Sequence, residues 1–88
     1  MKIKDGFILR EVAGNFIVVV VGEAVKRFKG VINLNETGAY LWKILVKGVE
    51  DASQLVDALL SEYDVEKEIA EKDVNAFIAK LTEAGLIK

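Results

Sequence analysis

Lys29-Gly30-Val31-Ile32-Asn33-Leu34-Asn35-Glu36-Thr37-Gly38 is the stretch on which the fold turns. After Gly30 resets the backbone, Val31-Ile32-Asn33-Leu34 reads as a short strand. Asn35 is a good helix N-cap, and Glu36 beside it favours the positive end of the helix dipole. A strand therefore runs directly into a capped helix, and the chain changes from β to α at this point.

Upstream the pattern is β. Phe7-Ile8-Leu9-Arg10-Glu11-Val12 is followed by Ala13-Gly14-Asn15 and then by the β-branched run Phe16-Ile17-Val18-Val19-Val20-Val21. The Gly14-Asn15 pair predicts a hairpin turn, because both residues tolerate the positive φ that such turns need. Glu23 to Lys29 is ambiguous between a loop, an edge strand and a helical turn. Four consecutive valines leave two readings of the second strand: single exposed valines, which are ordinary, or a second face covered by another copy of the chain or by a partner enzyme.

Downstream the period becomes helical. Leu41, Trp42, Ile44, Leu45 and Val46 make a first helix that stops near Gly48. Asp51 or Ser53 caps a second, whose Leu55, Val56, Leu59, Leu60 and Tyr63 share one face. A third runs from about Glu66 to Ala84, with Ile69, Ala70, Val74, Phe77, Ile78, Leu81 and Ala84 as its apolar set. Gly85 supplies its left-handed C′ residue, and Leu86-Ile87 tuck back against the core. Strands first and helices after them predict an α+β domain over residues 1–88, with three helices packed on a small three-stranded antiparallel sheet in a winged-helix-like arrangement. Trp42 belongs to the core or a groove wall, on a different face from Tyr40.

The composition excludes several functions. The 88 residues are 52% hydrophobic, too apolar for disorder, yet no window is long enough to span a membrane. Met1-Lys2-Ile3-Lys4-Asp5-Gly6 does not read as a signal peptide, so a cytoplasmic chain without membrane partners is expected. There is no Cys and no His, which removes thiolate nucleophiles, the commonest general base and the usual transition-metal ligands. Ser53 and Ser61 lie in a helical stretch without a local base. Neither a catalytic centre nor a cofactor is expected.

Three pieces of sequence occur in order: KGVINLNETGAYLW at 29–42, LVDALLSEYDV at 55–65 and DVNAFIAKLTEAGLI at 73–87. Together they resemble the PqqD-like family, the pyrroloquinoline quinone biosynthesis protein D type of precursor-peptide recognition element, over essentially the whole chain. The resemblance implies a non-catalytic accessory domain. It would bind the leader region of a ribosomally made precursor peptide and deliver it to a modifying enzyme, often of the radical-SAM type. The leader would add as a further strand beside Val31, Ile32, Asn33 and Leu34, in a groove against the third helix around Lys72, Asn75, Ala76 and Ala79. Nothing in the residues is specific to the quinone pathway, so the wider class of modified peptides is the expectation.

Independently of that resemblance, a short edge strand offers unpaired backbone groups to an added peptide. The rival reading is a winged-helix DNA-binding regulator. Residues 1 to 30 carry six basic and three acidic side chains, but residues 64 to 84 carry six acidic and three basic ones. Glu66, Glu68, Glu71 and Asp73 on the third helix, with Asp57 and Glu62 on the second, would repel phosphates. No nucleic-acid partner is expected. Lys26, Arg27 and Lys29 around Phe28 form a basic cluster that could meet an acidic peptide or simply be solvated.

Overall fold

The computed structural model describes residues 1–27 and 31–88. Strands β1 (Phe7–Val12), β2 (Asn15–Val20) and β3 (Ile32–Leu34) form an antiparallel sheet in the order β1-β2-β3. Helices α1 (Glu36–Lys47), α2 (Ala52–Glu62) and α3 (Lys67–Glu83) follow. The α+β arrangement of three strands and then three helices is the one the sequence predicts. A 3₁₀ turn, Gly22–Lys26, resolves part of the ambiguous segment. Phe28 and Lys29 of the basic cluster lie outside the described residues; Lys26 pairs with Glu23 at 3.4 Å, both exposed.

The hairpin turn differs from the sequence reading in which residues carry the strain. Val12 pairs with Asn15, so the two central residues are Ala13 and Gly14, with φ of 52° and 81°. A two-residue hairpin of this kind needs positive φ at both centres. Register therefore places Asn15 in the strand and forces Ala13 into a region that a Cβ disfavours.

Pleating splits the sheet into two faces. Leu9, Val18 and Ile32 are cross-strand neighbours on one face and join the core with Phe7, Phe16 and Leu34. Ile8, Ile17 and Val19 lie on the other face, outside that core. The valine run is thus divided: Val18 is 1% exposed, Val19 and Val20 are half-buried, and Val21 is exposed.

Each helix starts and stops for local reasons. The Asn35 side chain accepts from the Gly38 N–H at 2.7 Å and caps α1. A Cβ at Gly38 would come within 3.1 Å of that same oxygen, so glycine leaves room for the cap. Asp51, not Ser53, caps α2, accepting from the Ser53 N–H at 2.9 Å and from its hydroxyl. At the end of α3, Gly85 (φ 83°) donates to the Thr82 carbonyl and Leu86 to the Leu81 carbonyl. That pair of bonds is a Schellman motif, and it turns Leu86 into the core, where it is fully buried.

The core joins Leu41, Trp42 and Leu45 of α1, Leu55 and Leu59 of α2, and Val74 and Leu81 of α3 beneath the sheet. Trp42 is a core residue at 2% exposure. Tyr40 turns to another face, where its ring meets Tyr63 edge-on at 5.6 Å. Burial of Tyr63, with Glu36 and Glu62 nearby, raises the pKa of its phenol. A contact that the sequence pattern does not announce closes the fold: Ile3 bridges Ile87, the Lys4 N–H donates to the Leu86 carbonyl and the Lys88 N–H to the Lys2 carbonyl.

Candidate functional site

β3 is an outer strand of the sheet and only three residues long. Its side chains alternate, with Ile32 and Leu34 buried in the core and Asn33 exposed. In an antiparallel ladder the N–H and C=O of one residue point to the same side, and successive residues alternate. The Asn33 carbonyl accepts from the Lys80 ammonium of α3 at 2.7 Å. The backbone groups of Asn33 therefore point away from β2, toward the free edge.

Two clefts flank this contact. One, of about 220 Å³, is lined by Asn33, Leu34, Leu41, Asp73, Ala76 and Phe77 among others, and opens toward the start of α1. The second, a more open trough of about 600 Å³, is walled by Ile32, Ala76, Ala79, Glu83 and Ala84. Ala76 and Lys80 line both, so the clefts are two halves of one groove between β3 and α3. Along α3 the wall follows the helical spacing of Asp73, Ala76, Phe77, Lys80, Glu83 and Ala84. Ala76 and Ala79 are small and exposed, which leaves space beside β3 for another backbone. A strand added to a sheet needs only about 4.8 Å of lateral room.

The residues expected to form the site are not all brought together. Ile32, Asn33 and Leu34 face Ala76 and Ala79 across the groove. Val31 is 57% exposed and lines neither cleft. Lys72 and Asn75 are exposed on α3 and also line neither. The clefts are also lined by Asp73, Phe77, Lys80 and Glu83, none of which the sequence placed in the groove: Phe77 was expected in the core and Asp73 on the acidic surface. Their signal was the spacing itself: they continue Ala76 at i−3, i+1, i+4 and i+7.

The groove holds backbone donors and acceptors, apolar walls and three charged side chains, Asp73, Lys80 and Glu83. Among the described residues, no cluster of His, Cys, Asp or Glu is placed to hold a metal ion. Nor is any helix among them long and apolar enough to cross a membrane.

The fold is shared with two solved structures. TbiB1 in complex with the TbiA(beta) leader peptide matches with a TM-score of 0.75 at 23% identity, over 100% of this chain and 95% of that one. Lasso peptide synthetase B1 complexed with the leader peptide matches with a TM-score of 0.72 at 24% identity, over 97% and 93%. At these identities the likeness speaks for the fold. No curated protein matches the sequence. The family described as Coenzyme PQQ synthesis protein D (PqqD) matches residues 8–87, from the first strand to the segment after α3. The chain belongs to the PqqD family.

Proposed function

We propose that this chain is a non-catalytic accessory domain, acting as one unit over residues 1–88. It binds the leader region of a ribosomally made precursor peptide and presents it to a modifying enzyme of the radical-SAM type. The leader adds as a fourth strand beside β3, pairing with Asn33 and lying in the groove walled by Ala76, Phe77 and Ala79 of α3. The observation that carries this reading is the juxtaposition of an outward-facing strand edge with a groove along its whole length. Main-chain bonds then supply register, and side chains at alternate positions enter the groove. Membership in the PqqD family and a fold shared with two leader-peptide complexes support the same assignment.

The acidic surface argues against a nucleic-acid ligand. Glu68, Glu71 and Asp73 are exposed on α3, and Asp57 and Glu62 on α2. A helix so charged is repelled by a phosphate backbone.

An amide NMR titration with the leader region of a precursor peptide encoded beside the gene tests the proposal. Saturable shifts are expected at residues 32–35 and along 73–84. Absence of shifts with the peptide, together with clear ones on adding duplex DNA, would replace this function with the regulator reading.

A further inference from the structure

We infer that Lys80 competes with the ligand for the strand edge and thereby sets the affinity of the site. The inference rests on the peptide-addition mode proposed above. The ammonium lies 2.7 Å from the Asn33 carbonyl, where an added strand would have to bring its own N–H. Lys80 reaches that oxygen from the opposite wall, so its stem crosses the groove between the two clefts it lines. A second donor could share the carbonyl's free lone pair, but a backbone running beside β3 cannot share the space with the stem. The side chain has to swing away before the strand can seat.

The structure also provides a place for it to go. Glu83 stands one turn further along α3, at i+3, and lines the same trough. Asp73 lies two turns back and lines the other cleft. Lys80 makes no ion pair with either: among the described residues, the salt bridge present is that of Lys26 with Glu23. The ammonium thus has two kinds of partner, the edge carbonyl when the groove is empty and a helix carboxylate when the groove is filled. Ligand binding exchanges one for the other.

Two variants of opposite effect test this. Lys80→Met removes the ammonium and keeps an apolar stem at an exposed position, so the fold should persist. Titrated calorimetrically with the leader peptide, it should bind roughly three- to tenfold tighter than the wild type, the range of the net worth of one ordinary hydrogen bond. Glu83→Gln should bind roughly twofold more weakly, because the released ammonium loses its i,i+3 partner. Without ligand, the Leu34 amide, which shares a peptide unit with the Asn33 carbonyl, should shift in the Lys80→Met spectrum. Equal or weaker binding by folded Lys80→Met overturns the inference, as does an unmoved Leu34 resonance. Failure of the wild type and both variants to bind any leader peptide strikes at the recognition role itself.

Discussion

Proline at Asn33 probes the strand edge directly. The Asn33 carbonyl faces Lys80 rather than β2, and its N–H points the same way, so the bonds between β2 and β3 belong to Ile32 and Leu34. Replacing Asn33 by proline therefore leaves the ladder to β2 intact. It also restricts the preceding Ile32 to the extended region, which that residue already occupies as part of β3. Loss of folding stability should stay near 1 kcal/mol, about 4–8 °C in Tm for a domain of this size.

The ligand meets a harsher change. It loses one N–H donor, net about 1 kcal/mol, and a carbonyl of the peptide is left unsatisfied against the groove, which costs about 1–3 kcal/mol. A combined loss of at least about 2 kcal/mol is about 30-fold or more in Kd. Asn33→Ala keeps the N–H and should bind within about twofold of the wild type, since surface side chains away from special features change energies by only about 0.5 kcal/mol. Fluorescence anisotropy with a labelled leader peptide gives both values, and an amide spectrum checks the fold. A folded Asn33→Pro protein with unchanged affinity would refute strand addition at β3.

Other perturbations bear on the groove and on the fold beneath it. Ala76 lines both clefts and is exposed, so Ala76→Trp should leave stability within about 0.5 kcal/mol while filling the groove. Calorimetry should show at least a tenfold loss of peptide affinity, about 1.4 kcal/mol; unaltered binding would put the ligand elsewhere. Ala13→Asn places a residue tolerant of positive φ where Ala13 now sits at 52°. It should raise stability by about 1 kcal/mol in thermal unfolding, and an unchanged Tm would mean that the turn carries no strain. Asp51 has its pKa held below its ordinary value of 3.8, chiefly by the Ser53 hydroxyl and then by the Ser53 N–H. A depressed carboxylate stabilises the fold above its unfolded pKa, and the effect is lost as pH falls through the folded one. Asp51→Asn should therefore flatten the unfolding midpoint's dependence on pH below 3.8, compared with the wild type.

What could be read in the sequence was local. Asn35, Asp51 and Gly85 act on backbone groups two or three residues away, so their cap roles show in short strings. The change from strand to helix at residue 35 and the core stripe of Val74, Phe77 and Leu81 were equally legible. Features set by distant contacts were not. Ile3 sits among lysines and an aspartate with no period around it, and only its pairing with Ile87 makes it a core residue. Ala13 takes its positive φ from the register of two strands, not from its own preference. On α3 the core stripe has two flanks, and subtracting core residues cannot choose between them. Packing of α3 on α2 turns the flank of Asp73, Ala76 and Lys80 toward β3 across the groove, while Asn75 lies about 100° round the helix from Ala76. Ile69 fitted the apolar period but is 49% exposed, with Ala70 turned to the core in its place. In the sequence nothing sets Lys80 apart from a solvated lysine, because no local pattern gives the reach of a long side chain across a groove.

The shortness of β3 constrains how recognition can work. Asn33 offers one donor and one acceptor at the free edge, together worth about 2 kcal/mol net. A micromolar complex needs about 8 kcal/mol, before the cost of ordering a peptide that is extended only when bound. At about 25 cal/mol per Å², the missing 6 kcal/mol corresponds to roughly 240 Å² of apolar surface removed from water, and more once the ordering cost is added. The groove walls supply part of that surface, chiefly through the exposed Ala76 and Ala79, because Ile32, Leu41 and Phe77 at the base are already buried in the core; the ligand's own apolar side chains must supply the rest. The strand edge therefore fixes register and direction, and the apolar side chains that the ligand places at every second position fix affinity. Exchanging those side chains for alanine should cost the ligand more than any single substitution along β3 that spares the Asn33 N–H.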